Sequence, residues 1–167
     1  MQRVQKLTPC LWFDDQAEDA AKFYCSVFDH SKITATTYYG HAGFDLHGRP
    51  EGSVMTVSFE LDGQSFTGLN GGPMFKFSEA ISFQVNCQTQ EEVDHFWGAL
   101  SAGGVPQAQQ CGWLKDKFGL SWQIVPIALM NMMKDPDTAK SQRAMEAMLQ
   151  MKKLDIAALQ RAFDGES

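Results

Sequence analysis

Positive charge is scarce in this sequence, in which 14 Lys and Arg residues stand against 20 Asp and Glu residues. The formal net charge of −6 and the lack of any basic run offer little attraction to nucleic acid or to an anionic membrane surface. No apolar stretch approaches the roughly 18 residues that a membrane-spanning helix needs. The segment MQRVQKLTPC at 1–10 lacks the apolar core of a signal peptide. We therefore expect a cytoplasmic protein with no nucleic-acid or membrane partner.

Cysteine is also rare, and its spacing excludes the usual zinc and redox motifs. The four cysteines stand at positions 10, 25, 87 and 111, with no CxxC pair. We expect reduced thiols, as in most cytoplasmic proteins. Hydrophobic residues make up 44% and charged residues 20% of the 167 positions, which argues against disorder. The length fits one domain, or two small halves that share a core.

The first 73 residues predict four strands and one helix. Strands are expected at 4–13, 33–39, 55–61 and 64–69, and apolar residues spaced by three and four predict a helix at 16–28. Asp14 and Asp15 can cap that helix. Asp62-Gly63 is a strong hairpin signal. The stretch 40–52, with four glycines, predicts a long loop.

Residues 79–126 repeat the order of strand, helix and further strands. Strands are predicted at 81–87, 107–114 and 119–125. The helix between them begins at the capping-box pattern of Thr89 and Glu92 and ends at Gly103-Gly104. From 127 to 163 the pattern is helical, and Asp155 can cap a short last helix.

The two halves can be laid over each other by a shift of 72 residues. That shift pairs Cys10 with Ser82 and Tyr24 with Phe96, so strand parity and the apolar helix stripe are kept together. Internal duplication explains this agreement.

Four segments of the chain carry a recognisable pattern: TPCLWFDDQAEDAAKFYCSVF at 8–28, LDGQSFTGLNGGPMFKFSEAISFQVNC at 61–87, GWLKDKFGLSWQIVP at 112–126 and MKKLDIAALQRAF at 151–163. The first three belong to the repeated pattern and the last is a C-terminal segment, and together they resemble the PhnB-like family. The family is part of the vicinal oxygen chelate superfamily, which includes glyoxalase I, extradiol dioxygenases and antibiotic-resistance proteins. Some members carry a 3-demethylubiquinone-9 3-methyltransferase label. This sequence does not support the label, because no strand is followed by a GxGxG loop that could hold S-adenosylmethionine.

The resemblance implies an α+β fold in a single glyoxalase-like domain. Two βαβββ units, at about 4–73 and 79–126, would form curved mixed sheets around a cavity, with a helical extension at 127–163. Period-two alternation then assigns side chains to the two faces of each sheet. We expect Leu7, Leu11, Phe13, Ile81, Phe83 and Val85 to face the helices, and Thr8, Cys10, Trp12, Ser82 and Gln84 to face the cavity.

Metal-using members of the superfamily take His and Glu ligands from concave strand positions, which here fall on neutral residues. The mapped positions are Thr8, Ala80 or Ser82, Gly68 or Asn70, and Gln123. Segments 4–13, 64–73, 80–87 and 119–125 contain no carboxylate or histidine. A neutral amide binds a divalent ion weakly, so we expect no metal and no other cofactor.

Two loop histidines and one thiol leave alternatives open. His41 and His47 could fold over the cavity as a lid, supplying a base or an unconventional metal ligand, or they could be solvated loop residues. Cys10 could be a nucleophile if a neighbouring group lowers the pKa of its thiol, or it could be inert.

The remaining cavity set combines amides with aromatic rings. Besides Cys10, its members are Trp12, Asn70, Ser82, Gln84, Trp113 and Gln123. Amides with stacking rings suit a small planar or carbonyl-bearing ligand, but they could also satisfy one another and fill the barrel. The methionines clustered in 130–151 suggest contact with a partner subunit, so a homodimer is expected.

These patterns favour metal-independent binding of a small organic molecule, with a reaction that the sequence does not specify. One alternative is a metal-dependent enzyme of glyoxalase or dioxygenase type with non-standard ligands. Another is a non-catalytic protein that sequesters its ligand, as resistance proteins do.

Overall fold

The chain divides between Lys76 and Phe77 into two compact units, here called unit 1 and unit 2. The structure, a computed structural model, describes residues 4–166. The boundary lies inside the linker that the sequence predicts between 73 and 79. No helix within 4–166 is long and apolar enough to cross a membrane.

Unit 1 is a four-stranded mixed sheet with one long helix on one face. Its elements are β1 (Cys10–Phe13), α1 (Ala17–Val27), β2 (Lys32–Tyr38), α2 (Phe44–His47), β3 (Val54–Leu61) and β4 (Gln64–Asn70). The strand order is β1-β4-β3-β2, with β1 parallel to β4 and the other pairs antiparallel. The β3–β4 hairpin turns at Asp62 and Gly63, which both have positive φ. This confirms the hairpin signal.

Small residues let α1 lie close to the sheet. Ala17, Ala20 and Ala21 are fully buried, and a Cβ on Gly68 of β4 would lie 3.2 Å from the Cβ of Ala17. Tyr24 follows on the same stripe and tilts over Phe59 of β3, with the ring centroids 6.3 Å apart. The helix stripe predicted from spacing is therefore the core face of unit 1.

The first strand is shorter than predicted, and Leu7 is 85% exposed instead of buried. Pro9 precedes β1 and has no N–H to donate to a ladder. Before it, the side-chain amide of Gln5 donates to the carbonyl of Ser65 and accepts from the N–H of Ser65. A side chain therefore replaces the backbone pairing that the alternation predicts for 4–9.

The cap of α1 also differs from the prediction. Gln16 stands at the N-cap and its side chain makes no capping bond. The N–H of Ala17 instead donates to Oδ1 of Asn70, at 2.8 Å. Asp14 and Asp15 are therefore not the caps, because a buried amide from β4 satisfies this helix end.

Unit 2 contains a three-stranded mixed sheet, one covering helix and a helical tail. Its elements are β5 (Phe83–Cys87), α3 (Gln90–Ser101), a 3₁₀-helical turn (Pro106–Ala108), β6 (Trp113–Lys115), β7 (Ser121–Pro126), α4 (Ile127–Met133), α5 (Thr138–Leu149) and α6 (Ile156–Asp164). The strand order is β5-β7-β6, with β5 parallel to β7 and β6 antiparallel to it. The α+β class with mixed sheets and a helical C-terminal part is confirmed.

Two predicted strands of unit 2 are shortened. Ile81 is exposed because β5 begins only at Phe83. The strand predicted at 107–114 keeps only its end, since Pro106 opens a 3₁₀ turn and Cys111 and Gly112 both have positive φ, which breaks extended backbone.

The caps of α3 and α6 are those that the sequence predicts. Thr89 accepts from the N–H of Glu92, and the carboxylate of Glu92 accepts from the N–H of Gln88, one residue before the position of the usual capping box. Asp155 accepts from the N–H of Ala158. These helix starts follow from local sequence alone.

The methionines of the tail pack largely on the tail's own core. Leu129, Met132, Ala144, Leu154 and Leu159 form a buried cluster, against which Met133, Met148 and Met151 pack among others. The methionine pattern therefore reflects packing between α4, α5 and α6. The homodimer stays a prediction.

Candidate functional site

The register of the unit 2 sheet brings four of the predicted site residues onto one face. Gln84 of β5 stands opposite Gln123 of β7, and Trp113 of β6 stands opposite the same Gln123 from the other side. Directly paired residues share a face, so the three side chains form a row across the sheet. Ser82, just before β5, accepts a hydrogen bond from Nε2 of Gln123 at 2.9 Å. We call these four residues the polar face of unit 2.

The opposite side of the same strands is apolar. Val85, Leu114, Trp122 and Ile124 alternate with the polar-face residues and are buried, and all three strands pack against α3. Burying this side against the helix fixes which side chains point away from it. Period-two alternation therefore accounts for the polar face directly.

Several groups on the polar face keep hydrogen-bonding capacity. Nε1 of Trp113 and Oε1 of Gln123 have no partner among residues 4–166. The hydroxyl of Ser82 accepts from Gln123, and its own proton stays available. Gln84 donates to Oδ1 of Asn86 at 2.9 Å. The face thus offers donors, an acceptor and a half-buried indole ring.

The β6–β7 turn that supports this face is built around a buried carboxylate. Oδ1 of Asp116 accepts from the N–H groups of Phe118 and Leu120, and Oδ2 accepts from Nε1 of Trp122 at 2.9 Å. The segment between the strands predicted at 107–114 and 119–125 is therefore a hairpin turn with a structural aspartate. This role was not predicted from the sequence. Its signal is a carboxylate six residues before an indole, and that the indole is buried is known only from the structure.

Two predicted site residues, Cys10 and Trp12, lie on the face of unit 1 that points away from α1. They alternate with the buried Leu11 and Phe13. The indole N–H of Trp12 donates to the carbonyl of Gly72 at 2.9 Å, and Phe75 meets its ring edge-on with centroids 4.9 Å apart. Trp12 is thus fixed in place by the segment that follows β4.

Asn70, also predicted to face the ligand, lies on the other face of the same sheet. It pairs with Phe13 and is 3% exposed. Besides accepting from Ala17, its amide donates to the carbonyl of Val54 at 3.1 Å. Its backbone carbonyl accepts from the hydroxyl of Tyr39. Asn70 therefore ties α1, β3 and the residue that follows β2 together, and it has a structural role.

The thiols give no sign of an activated nucleophile. Cys10 is exposed at the start of β1, and desolvation raises the pKa of its thiol above the ordinary value. In unit 2, burial and the nearby Glu92 raise the pKa of Cys87 to about 12. Because a nucleophile needs a lowered pKa, these shifts favour inert thiols.

The two loop histidines have different surroundings. Nδ1 of His47 accepts from the N–H of Arg49 at 2.9 Å, and its ring lies 4.6 Å from that of Tyr39, centroid to centroid. His47 also contacts the carbonyl of Ala42 through Nε2, so both of its nitrogens hold the loop together. His41 is exposed.

The donors in the described part of the chain do not fit a divalent ion. Between residues 4 and 166, no group of three or more His, Cys, Asp or Glu side chains could hold a metal. At the positions mapped from metal-using relatives, Thr8 is exposed, Asn70 is bonded within unit 1 and Gln123 donates to Ser82. These are neutral side chains, which divalent ions bind weakly.

Residues 5–125 match the protein family described as 3-demethylubiquinone-9 3-methyltransferase. The chain belongs to this family. It is 36% identical to a putative 3-demethylubiquinone-9 3-methyltransferase, PhnB protein, from Bacillus cereus, over 73% of this chain and 99% of that one, with a TM-score of 0.62. The PhnB-like resemblance of the sequence is thereby confirmed.

A solved structure of lower sequence identity also shares the fold. A protein from Pseudomonas aeruginosa is 17% identical over 74% of this chain and 98% of that one, with a TM-score of 0.57. A glyoxylase/bleomycin resistance protein/dioxygenase domain from Frankia sp. EAN1pec is 12% identical over 74% and 93%, with a TM-score of 0.47. The curated proteins contain no match.

Proposed function

We propose that this PhnB-like protein binds a small, planar, carbonyl-bearing organic molecule on the polar face of unit 2, without a divalent ion. The observation that carries the proposal is the row of Gln84, Gln123 and Trp113, with Ser82 bonded to its centre. One face of this sheet packs against a helix and the other is polar. The polar face is therefore a candidate binding surface on a rigid support.

Each group of the row has a separate task toward such a ligand. The indole of Trp113 stacks on the planar body of the ligand, and the hydroxyl of Ser82 donates its available proton to a carbonyl oxygen. Oε1 of Gln123 accepts from an N–H or O–H of the ligand, while its Nε2 stays on Ser82. This division of donors and acceptors fixes the orientation of a planar amide or ketone.

We also propose Cys10 and Trp12 as ligand contacts within unit 1 itself, on the face of its own sheet that points away from α1. Trp12 supports this role because its ring is held by Gly72 and Phe75. A fixed ring loses little conformational entropy when a ligand stacks on it. Asn70 is left out of the proposed site because its amide is bonded within the fold.

The protonated state of the Cys10 thiol favours ligand binding without a chemical reaction over catalysis. Cys10 is the candidate nucleophile among the proposed site residues, and the raised pKa of its thiol leaves little thiolate at neutral pH. Methyl transfer is not proposed, because the sequence has no glycine-rich loop after a strand. A metal-dependent glyoxalase or dioxygenase role is not proposed either, because the mapped donors are neutral.

Heteronuclear NMR of the full chain tests the proposal with benzamide as the probe. The four tryptophans give four indole N–H signals, of which Trp113 is assigned by a Trp113→Phe variant. Benzamide should shift the Trp113 signal and leave the bonded indole N–H of Trp122 unchanged. Gln123→Ala should weaken binding by about tenfold, the value of one to two hydrogen bonds.

Gln142→Ala is the matched control, since Gln142 is exposed on α5. It should leave benzamide binding unchanged. A Trp113 signal that does not respond, or equal losses in the Gln123 and Gln142 variants, would contradict the proposed function.

A further inference from the structure

A buried hydroxyl extends the polar face of unit 2. Ser121 is the first residue of β7 and pairs with Lys115 of β6, two residues from the pair of Gln123 and Trp113. Period-two geometry therefore puts Ser121 on the same face as those residues. It is 1% exposed, and its Oγ has no hydrogen-bond partner in residues 4–166. An unpartnered buried hydroxyl is unfavourable relative to a satisfied one, so its place here needs a reason.

The strand neighbour of this hydroxyl forms an ion pair. Lys115 pairs with Ser121 across β6 and β7, and its Nζ contacts a carboxylate oxygen of Glu79, which lies four residues before β5. The positive end of the ion pair therefore belongs to the residue beside the buried hydroxyl.

The two ends of the ion pair differ in how firmly they are held. The Glu79 side chain is 63% exposed, whereas that of Lys115 is 25% exposed. Lys115 is therefore the part built into the face, and Glu79 reaches it from outside. Exposed ion pairs contribute little and exchange readily, so a competing carboxylate can replace that of Glu79.

We propose that Lys115 and Ser121 form an acid-binding subsite of the proposed ligand site, and that the carboxylate of Glu79 holds Nζ of Lys115 until a ligand carboxylate displaces it. The ligand class is thus a small planar acid. Its carboxylate pairs with Nζ of Lys115 and accepts from the hydroxyl of Ser121, while its ring lies along Gln123 and Trp113. This inference rests on the proposed function and names its substrate class.

Lys115 and Ser121 complement the row of neutral side chains formed by Gln84, Gln123 and Trp113. Nζ of Lys115 supplies the charge that the row lacks, and Ser121 supplies a donor next to it. A charge-assisted bond to a carboxylate is stronger than one between neutral groups. The pKa of Glu79 lies below its ordinary value because Lys115 bonds to it, so the pair is intact at neutral pH.

Benzoate and benzamide test the inference as a matched pair of planar probes, followed by NMR on the full chain at equal ionic strength. Glu79→Gln removes the internal carboxylate and should tighten benzoate binding about fivefold, the worth of an exposed pair. Benzamide binding should not change. Asp94→Asn is the control, because it removes one exposed carboxylate of unit 2 at another place.

Two further variants test Lys115 and Ser121 separately. Lys115→Met should abolish any preference for benzoate over benzamide. Ser121→Ala removes a hydroxyl with no partner, so it should keep or raise stability while weakening benzoate binding about fivefold. If Ser121→Ala leaves benzoate binding unchanged, the hydroxyl serves only the fold or a water molecule, and the inference is overturned.

The outcomes separate the inference from the proposed function. Benzamide binding at Trp113 with no gain for benzoate in Glu79→Gln would overturn the acid subsite and leave the proposed function standing. A Trp113 signal that responds to neither probe in any variant would overturn both.

Discussion

Two amide side chains of the candidate site, Asn70 and Gln123, differ in what they leave available to a ligand. Asn70 is enclosed, and its amide bonds Ala17 and Val54. Gln123 is half-buried, and within 4–166 its side chain bonds only Ser82, through Nε2. The same functional group is therefore structural in one unit and free to bind in the other. Burial and partners decide the role, and neither can be read from the residue type.

The ring of Trp12 depends on a glycine beside it. A Cβ on Gly71 would lie 2.2 Å from the indole ring, which is far inside van der Waals contact. Gly71→Ala should therefore push the ring away and break its bond to Gly72. We expect a loss of about 1–3 kcal/mol in the free energy of unfolding, as for other overpacked sites. Urea unfolding and the Trp12 indole NMR signal measure the two effects.

Gly40→Ala is the control for that change. Gly40 has no atom within 4 Å of an added Cβ, so the substitution should be close to neutral. Equal stability of the two variants would show that Gly71 does not hold the ring.

At the scale of elements, the starts of helices and one hairpin follow from local sequence. Thr89 and Asp155 cap their helices as predicted, because a cap uses only neighbouring residues. The start of α1 could not be predicted, since its partner Asn70 lies 53 positions away. Pattern reading detects contacts within a few residues and misses those that the fold brings together.

The internal duplication inferred from a shift of 72 residues stays a prediction. The face assignments of the two first strands do not depend on it, because they need only strand parity within each strand. Leu11 and Phe13 of β1 and Val85 of β5, which are predicted to face the helices, are buried.

The tail is tied to α3 by a titratable contact. Asp94 contacts Nζ of Lys153 at 2.8 Å and accepts from Nε2 of Gln90, which also donates to the carbonyl of Leu154. Lys153 and Gln90 hold the pKa of Asp94 below its ordinary value of 3.8. A depressed folded-state pKa adds stability above the unfolded-state pKa, and that stability is lost as pH falls through the folded-state value.

Asp94→Asn should therefore lower stability at neutral pH and have no such effect once the pH is well below 3.8. Urea unfolding of both proteins across this range gives the difference at each pH. The wild type should lose its advantage on acidification, and a difference that is independent of pH would contradict the assigned contact.

For the whole molecule, alternation and resemblance together gave the fold class and the family. They also gave the row of Gln84, Gln123 and Trp113, because period-two faces need only strand parity. They missed Ser121 and Lys115, because their importance depends on burial and on an ion pair between distant segments. We propose that the function depends on this site, since the fold class alone does not determine a reaction.

The most direct test of the central claim is native mass spectrometry of gently purified wild-type protein beside its Trp113→Ala variant. We predict a small organic mass on the wild type, no stoichiometric divalent ion, and loss of the organic mass in the variant. The same spectrum measures the subunit number, for which a dimer is predicted. A divalent ion at one per subunit, or an organic mass that persists in Trp113→Ala, would contradict binding on the polar face of unit 2.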